Sequence, residues 1–400
     1  MKIKLYLTAC LLVLGLSCAH AVPAKKGVKR TIKLADGTSV VAELKGDEFA
    51  SYWQADDGKC YVQDIDSRTF KITDKAQVVN RGLAKRQKAN DERIKRFSKR
   101  GPKREITGAF SHFTGTKKGL IILVNFKDVK FGRTHTRAMF DNIANKKGFT
   151  NSLGFKGSVK DYFLAQSNGQ FELDFDVVGP YTLSQNMAYY GAHTKDGDVD
   201  AKAGHMVLEA CQMADKDVNY KDYDWDGDGE VDQVFVIYAG FGEADGGSED
   251  TIWPHESMLS ASTVGKRYET KDGVNVNTYA CGNENTYDML GRSRINGIGT
   301  ICHEFSHCLG YPDLYDTNYS GNFGMGSFDL MCSGSYNGES FCPPNYSAYE
   351  KWIAGWITPT VLDKPASVKG MQAQDVKYGQ AFVVYNDNNK NEYYLIENRQ

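Results

Sequence analysis

The stretch that decides the fold of this chain is residues 298–316, which read I-G-T-I-C-H-E-F-S-H-C-L-G-Y-P-D-L-Y-D. Within it, His303 and His307 are four residues apart, so an α-helix would place both imidazoles on one face, where they can bind a single metal ion. Glu304 follows the first histidine and can accept a proton from a water that the metal activates. The spacing therefore predicts a helix that carries a hydrolytic metal site.

The residues after this helix complete the predicted site. Gly310 stands where a left-handed cap would end the helix, and the resulting turn would return Asp313 toward the histidines as an oxygen ligand. Two nitrogens, one carboxylate and a water make a four-coordinate zinc site with an open position, which is typical of catalytic zinc. The alternative is a surface helix whose two histidines bind no metal or a non-catalytic one.

A second metal site is predicted in residues 221–233, which read K-D-Y-D-W-D-G-D-G-E-V-D-Q. Oxygen donors recur at the spacing of a calcium loop, in which alternate residues point inward. The predicted ligands are Asp224, Asp226, Asp228, Glu230 through its backbone carbonyl, and Asp232. Phe235 stands where such loops normally have a bidentate carboxylate. We expect a structural Ca²⁺ site here, with a charged turn that binds no ion as the alternative.

Residues 1–21 have the pattern of a signal peptide. Lys2 and Lys4 precede an apolar run over residues 5–16, and Ala19-His20-Ala21 is a small-residue cleavage site. The run is too short for a transmembrane anchor. We therefore expect an exported protein, either secreted or held in the periplasm or at the cell surface. A lipoprotein anchored through Cys10 or Cys18 is the less favoured alternative.

The charges of the chain are distributed unevenly. Residues 25–104 contain 21 Lys and Arg against 11 Asp and Glu, whereas residues 105–400 contain 25 against 39. This opposition favours docking of the basic part on the acidic part. It does not favour nucleic-acid binding, because the basic residues are scattered instead of lining one helix.

Residues 22–104 are predicted to be a pro-segment that inhibits the rest of the chain. Asp36-Gly37 and Asp57-Gly58 are typical hairpin turns, so the first part should be a small β-rich module. Residues 81–104 are crowded with Lys and Arg and predict an exposed basic linker, a preferred site of proteolytic nicking. A solvated helix between two permanent domains is the alternative.

Residues 105–400 are predicted to form a single α+β catalytic domain. Continuous apolar runs at 119–126 and 233–239 are typical of central strands covered on both faces. Helices are expected near 137–144, 158–166, 199–214 and 347–356. Residues 240–297 are rich in glycine and lack periodicity, which suggests a segment that lines a site. The chain stops inside strand-like sequence, so we expect the natural protein to continue beyond Gln400.

Six cysteines in this domain are candidates for up to three disulfides in an oxidising compartment. They are Cys211, Cys281, Cys302, Cys308, Cys332 and Cys342. Bridges from Cys302 or Cys308 to Cys332 or Cys342 would join the metal helix to the loop beneath it. The alternative is that they are buried free thiols that pack as small apolar residues.

Several motifs together resemble the immune inhibitor A-like family of secreted bacterial metallopeptidases. The matching motifs are H-E-F-S-H with Gly310 and P-D-L-Y-D, the acidic loop before V-F-V-I-Y-A-G, I-W-P-H at 252–255, and F-D-L-M-C-S-G-S-Y at 328–336. The resemblance implies a zincin fold with a mixed twisted sheet, an active-site helix and a lower subdomain. It also implies a broadly specific endopeptidase made as a latent precursor.

The resemblance also bears on individual site residues. Met331 is similar to the methionine turn beneath the zinc of metzincin-like enzymes. The third ligand of such enzymes is usually a histidine ten residues after the first, and Asp313 occupies that position here. Glu350 and Asp329 are the alternative third ligands.

The predicted function is zinc-dependent hydrolysis of peptide bonds in protein or peptide substrates, with Glu304 as the catalytic residue. Tyr311, Tyr315 and Tyr336 are candidate donors to the developing oxyanion. One alternative is an adhesion or glycan-binding module with structural metals. Another is a zinc amidase that acts on cell-wall peptides.

Overall fold

The computed structural model describes residues 21–99, 113–195, 197–288, 290–374 and 379–399. The predicted signal peptide lies outside these residues except for Ala21. We refer to residues 21–99 as the leader and to the described residues from 113 onward as the body. Among the described residues, no helix is both long enough and apolar enough to cross a membrane.

The leader begins with a five-stranded antiparallel sheet whose strands follow one another in chain order. Both predicted hairpin turns are confirmed, and in each of them the glycine has a φ of 85°, as Gly37 and Gly58 show. The strands are β1 (Lys29–Lys33), β2 (Ser39–Gly46), β3 (Ser51–Ala55), β4 (Cys60–Gln63) and β5 (Phe70–Thr73).

The described part of the basic stretch that follows is helical. Helix α1 spans Lys75–Lys99, whereas the role of this stretch as a cleavable linker stays a prediction. Lysine, arginine, glutamine and alanine have high helix propensity, so their accumulation here favours a helix over a coil. The helix is fixed to the leader sheet by a buried ion pair between Arg86 and Asp47.

The body combines a central sheet with helices on both sides. Its elements in chain order are β6 (Gly115–Asn125), α2 (Arg137–Asn145), α3 (Val159–Gln166), β7 (Phe171–Thr182), α4 (Met187–Gly191), α5 (Ala203–Ala214), β8 (Val234–Phe241), β9 (His255–Met258), β10 (Tyr268–Glu269), β11 (Asn275–Val276), β12 (Thr278–Tyr287), β13 (Ser293–Ile295), α6 (Ile298–Cys308), α7 (Ala348–Ile353), β14 (Thr360–Val361), β15 (Ala381–Asn386) and β16 (Asn389–Glu397).

The central sheet is mixed, and its strand order is β13-β12-β8-β6-β7, with β9 also paired to β12. The neighbouring pairs β7-β6, β6-β8 and β8-β12 are parallel, whereas β13 and β9 pair with β12 in the antiparallel sense. Parallel strands need helical crossovers, which cover the faces of the sheet. The expected mixed α and β architecture is therefore present.

The apolar runs of β6 and β8 contribute to two hydrophobic cores because successive side chains point to opposite faces. Ile121 and Leu123 belong to the core that contains the buried side of α6. Leu120 and Ile122 belong to the other core, which is covered by α5. The predicted central strands are thus confirmed, and one of the two cores supports the helix with the two histidines.

The predicted disulfides are not formed. Each of the seven cysteines in the described part of the chain is a free thiol, and six of them are buried. Cys302 packs in the core beside Phe305, and the Cys308 thiol lies 3.7 Å from the Glu304 carbonyl oxygen. The alternative of small apolar packing residues therefore describes these two side chains.

The leader docks on the body through ion pairs, as the opposed charges predicted. Among the side chains that the structure describes, the pairs that join the two parts are Lys25 with Asp245, Arg30 with Glu249, Arg68 with Asp250, Lys85 with Asp198, and Asp66 with Lys195. Four of the five have the basic partner on the leader. Docking places the first residues of the leader next to α6.

Candidate metal centre

Helix α6 is buried along its whole length, from Ile298 to Cys308. Two glycines allow this burial. A Cβ at Gly299 would lie 2.0 Å from the Ser335 carbonyl oxygen, and one at Gly297 would lie 2.3 Å from the Ser340 carbonyl carbon and oxygen. The chain turns after the helix at Gly310, whose φ of 100° is in the left-handed region.

The two histidines of α6 are oriented by backbone carbonyls. His303 Nδ1 lies 2.6 Å from the Leu330 carbonyl oxygen, and His307 Nδ1 lies 2.8 Å from that of Tyr311. A carbonyl oxygen only accepts, so each Nδ1 carries the proton and each Nε2 of a neutral ring carries a lone pair. The two Nε2 atoms lie 3.1 Å apart.

The third predicted ligand is next to both imidazoles. Asp313 Oδ1 lies 3.1 Å from His303 Nε2 and 3.4 Å from His307 Nε2. Both carboxylate oxygens of Asp313 are buried without a hydrogen-bond partner. Two lone pairs and a carboxylate that meet in a buried pocket repel one another unless a cation lies between them. The donor set therefore fits a metal ion of the zinc class.

Glu304 lies at the same place. It offers a carboxylate oxygen within 4.8 Å of ligand atoms of both histidines, and its Oε2 has no hydrogen-bond partner. Burial raises the pKa of this carboxyl well above its ordinary value, and the neighbouring Asp313 raises it further. A carboxyl with a raised pKa beside a metal pocket is suited to accepting and returning a proton.

The alternative third ligands, Asp329 and Glu350, each have one oxygen bound elsewhere and one buried oxygen without a hydrogen-bond partner. Asp329 Oδ1 accepts the Met331 N–H, and Glu350 Oε2 accepts both the N–H and the hydroxyl of Ser347 at the start of α7. The two carboxyls also interact with each other, and burial raises the pKa of both. Met331 is buried in the core that contains α6. Asp313 is the candidate that the geometry supports.

The three candidate tyrosines differ in their surroundings. Tyr311 donates to the Glu350 carbonyl oxygen at 3.1 Å and packs against Tyr346, which is a packing role. Tyr315 donates to Asp47 of the leader at 3.2 Å. Tyr336 donates to the Pro23 carbonyl oxygen at 2.7 Å. The last two hydroxyls are therefore occupied by the docked leader.

The first described residues of the leader lie over the metal group. Val22 donates its N–H to Glu304 Oε1 at 2.9 Å, and its carbonyl oxygen accepts the Trp253 indole N–H at 2.8 Å. Ala21 forms an isolated antiparallel bridge with His255 of β9. Extended peptides bind to sheet edges through backbone pairing of this kind. The start of the leader therefore lies on the body as a bound peptide would.

The acidic loop brings together part of its predicted ligand set. Asp224, Asp226 and Asp232 offer oxygens within 4.8 Å of one another, whereas the side chains of Asp228 and Glu230 are not members of this group. Asp224 accepts backbone N–H groups from Gly227 and Gly229. The Glu230 carboxylate lies 3.4 Å from the guanidinium of Arg267. The loop has the geometry of a partial oxygen cage.

Sequence reasoning missed the contacts that orient and cover the metal group. The carbonyl of Leu330 and the N–H of Val22 are backbone atoms, which carry no side-chain signature. Trp253 stands in the I-W-P-H motif, which was noted only as part of a resemblance. That motif is the one signal from which the indole contact to the leader could have been found.

Three comparisons relate the chain to known proteins. The family model described as immune inhibitor A peptidase M6, catalytic domain, matches residues 111–357. The pre-pro-metalloprotease PrtV of Vibrio cholerae serotype O1 is 29% identical over 260 residues, which cover 56% of this chain and 28% of that protein. Immune inhibitor A of Bacillus thuringiensis subsp. alesti is 27% identical over 304 residues, which cover 64% and 42%. The chain thus spans less than half the length of these curated relatives.

Proposed function

The chain belongs to the immune inhibitor A family of M6 peptidases, and from that premise we propose that it is a zinc-dependent endopeptidase that hydrolyses peptide bonds in proteins. The metalloprotease assignment follows from the family. The observation that carries the choice of zinc and of this site is the convergence of two imidazole lone pairs and the Asp313 carboxylate in one buried pocket.

His303, His307 and Asp313 are the residues that would hold the zinc. When bound, zinc supplies Lewis-acid activation of water and of the scissile carbonyl. The carbonyls of Leu330 and Tyr311 keep both rings in the tautomer that presents Nε2. Orientation of this kind maintains metal affinity, since ligand rings held by a hydrogen bond do not need to reorganise.

Glu304 is the general base and acid of the proposed reaction. It accepts the proton of the attacking water and later delivers it to the leaving amine. Its raised pKa brings the carboxyl nearer the pH at which both transfers are efficient. The Tyr336 hydroxyl donates to a peptide carbonyl of the docked leader, and the same hydroxyl would donate to a carbonyl of the substrate.

The proposed domain organisation is a signal peptide at 1–21, a pro-segment at 22–104 and a catalytic domain at 105–400. In the precursor, the leader inhibits the enzyme by occupying the site where substrate binds. Val22 engages Glu304, and Pro23 engages Tyr336. The Vibrio cholerae relative is named a pre-pro-metalloprotease, which agrees with a precursor of this kind. Cleavage between leader and body would free the Glu304 carboxylate and the Tyr336 hydroxyl for substrate.

The chain is exported in this proposal, because residues 1–21 have the pattern of a signal peptide. The substrates would then be proteins or peptides outside the cytoplasm. A Ca²⁺ ion held by Asp224, Asp226 and Asp232, with Asp228 and the Glu230 carbonyl as further ligands, would stabilise the entry to β8. This ion has a structural role only.

The proposed function is tested by Glu304→Gln in the full chain. After limited proteolysis to remove the leader, the variant should retain one zinc ion at α6 while casein hydrolysis falls by about 10²–10⁴-fold, the usual contribution of general acid–base catalysis. Glu269→Gln changes an exposed glutamate of β10 in the same way and serves as the matched control. Undiminished hydrolysis by Glu304→Gln would overturn the assignment.

A further inference from the structure

A second group of metal-ligating side chains lies outside the α6 site. His193 follows α4, Asp200 precedes α5, and Glu243 stands in the turn after β8. Each offers one ligand atom, and the three atoms lie within 4.8 Å of one another. His193 Nε2 and Glu243 Oε2 are 2.8 Å apart. Three separate parts of the body therefore bring an imidazole and two carboxylates to one point.

The group contains a buried oxygen without a partner. Asp200 is 9% exposed and Glu243 is 2% exposed. Asp200 Oδ2 accepts the Trp253 backbone N–H at 2.5 Å, whereas Oδ1 forms no hydrogen bond with any described residue. A buried carboxylate oxygen without a donor, in a group that also contains an imidazole and a second carboxylate, is costly unless a cation is present.

The charges of the group are not balanced by protein residues alone. An imidazolium at His193 supplies one positive charge against the two carboxylates, so one carboxyl would have to keep a proton. The next acidic neighbour, Glu249, is already paired with Arg30 and with the Trp53 indole. A divalent cation bound to a neutral imidazole and two carboxylates would leave no net charge, which is the arrangement that burial favours.

We propose that His193, Asp200 and Glu243 form a second metal site that binds one divalent transition-metal ion of the zinc class. The ligands are His193 Nε2, Asp200 Oδ1 and Glu243 Oε2. An imidazole ligand suits zinc and its neighbours in the first transition row, whereas calcium takes oxygen ligands only. The proposal does not depend on the α6 site or on its catalytic role.

The position of this site connects it with the docked leader. Ser51 of the leader donates its hydroxyl to Glu243 Oε1 at 3.3 Å. Asp200 holds the backbone of Trp253, whose indole donates to the Val22 carbonyl oxygen. A metal ion that fixes Asp200 and Glu243 would therefore stabilise the surface of the body on which the leader lies.

Zinc content of the purified full chain, measured after dialysis at a fixed low free-zinc concentration, tests the proposal. The unchanged chain should bind two equivalents, His193→Ala one, and the double variant His303→Ala/His307→Ala one. Combining all three substitutions should remove both ions. His205→Ala, a histidine of the neighbouring helix α5, is the matched control and should leave two.

Asp200→Asn provides a variant that conserves shape. Its amide oxygen can still accept the Trp253 N–H, so the fold should persist while zinc affinity at this site falls by at least about tenfold, because losses of 10–100-fold follow even from removing groups that only orient a ligand. Substitution of cobalt(II) into the His303→Ala/His307→Ala variant gives an independent readout, since its visible absorption should disappear with His193→Ala.

Two results would overturn the second site. One is a zinc content that neither His193→Ala nor Asp200→Asn changes, which would identify the group as an imidazolium with its ion-paired carboxylates. The other is a cobalt spectrum that persists after both substitutions. Failure of the α6 proposal would look different, because the His303→Ala/His307→Ala variant would then keep the full zinc content.

Discussion

The metal group at α6 and the acidic loop at 224–232 are both built from residues typical of metal sites, yet their polar atoms are in opposite situations. At α6, both oxygens of Asp313 and one of Glu304 are buried without a hydrogen-bond partner. In the loop, both oxygens of Asp224 accept backbone N–H groups, and Asp232 accepts the Trp225 N–H at 2.6 Å. The carboxylates of Asp224 and Asp232 are thus bound by the loop's own backbone, and Glu230 Oε1 is the loop oxygen that is buried without a partner. The α6 carboxylates lack protein donors at three oxygens, so we expect this group to need a cation.

This difference teaches that ligand spacing and metal dependence are separate properties. Both regions match a spacing pattern in the sequence. In the α6 group, the unpartnered oxygens of Asp313 and Glu304 are buried away from water, so we expect its chemistry to require the ion. The loop can accept an ion to gain stability, but its turn forms without one.

The largest expected effect is that of His307→Ala. Loss of one imidazole should remove zinc from α6 and lower casein hydrolysis by at least about 10³-fold, because Lewis-acid stabilisation is worth several kcal/mol. Asp224→Ala in the loop should keep hydrolysis within about tenfold of the unchanged chain. Zinc content and casein hydrolysis of both variants, measured after leader removal, make the comparison. Equal losses of casein hydrolysis in His307→Ala and Asp224→Ala would contradict the difference between the two regions.

Arg86→Met tests whether burial also decides how much an ion pair contributes to stability. Asp47 is fully buried and pairs with Arg86 inside the leader, so this change leaves a buried carboxylate without its cation. We expect a destabilisation of about 3–5 kcal/mol in urea unfolding of the full chain. Lys195→Ala removes a pair whose side chains are 72% and 70% exposed, and should cost at most about 1 kcal/mol. Similar losses in both variants would contradict the role given to burial.

Calcium should affect the loop alone. At a calcium concentration about 100-fold above the dissociation constant, bound Ca²⁺ would raise the free energy of unfolding by about 2.7 kcal/mol. Asp226→Asn should abolish this calcium-dependent shift of Tm and leave the zinc content at α6 unchanged. A Tm that does not respond to calcium would show that the loop is a charged turn satisfied by its own N–H groups.

The smallest expected effect concerns Asp64 in an exposed turn of the leader. Its carboxylate accepts hydrogen bonds from Ser67 and Lys71, as the loop carboxylates accept backbone N–H groups. The Ser67 N–H, the Lys71 ammonium and the Ser67 hydroxyl lower the pKa of Asp64 to about 2 from an ordinary value of 3.8. The stabilising contribution of a carboxyl with a lowered pKa is present above pH 4 and is lost as the pH falls through about 2. Unfolding of Asp64→Asn and of the unchanged chain should therefore differ at pH 5 and converge below pH 2. Asp66→Asn is the control, and a difference that is as large below pH 2 as at pH 5 would argue against the carboxylate contacts.

The parts of the fold that could be predicted are those whose burial leaves an apolar pattern. Strands β6 and β8 were found because their residues are apolar on both faces. Strand β12 was missed because it reads T-Y-A-C-G-N-E-N-T-Y, with polar residues in the interior of the sheet. Glu284 is buried there because it accepts the N–H groups of Gly132 and Gly240. Gly132 lies in a distant loop and Gly240 in the neighbouring strand β8, so no local sequence pattern reveals these donors.

The candidate metal centre also has a part that the sequence predicts and a part that it does not. His303, Glu304 and His307 could be predicted because helical periodicity brings them together within one turn, and Asp313 because Gly310 reverses the chain. The atoms that orient and cover them could not. The Leu330 carbonyl is 27 residues from His303, and the Val22 N–H is 282 residues from Glu304. Their positions depend on how the whole leader and body pack.

Anomalous diffraction at the zinc edge, from crystals of the full chain purified with zinc, tests the central claim most directly. We predict a zinc ion at α6 with His303 Nε2 and His307 Nε2 at about 2.0–2.1 Å and an Asp313 oxygen at about 2.0–2.2 Å. An α6 site that holds no zinc while zinc is bound elsewhere, or a zinc ion there without Asp313 among its ligands, would contradict this account.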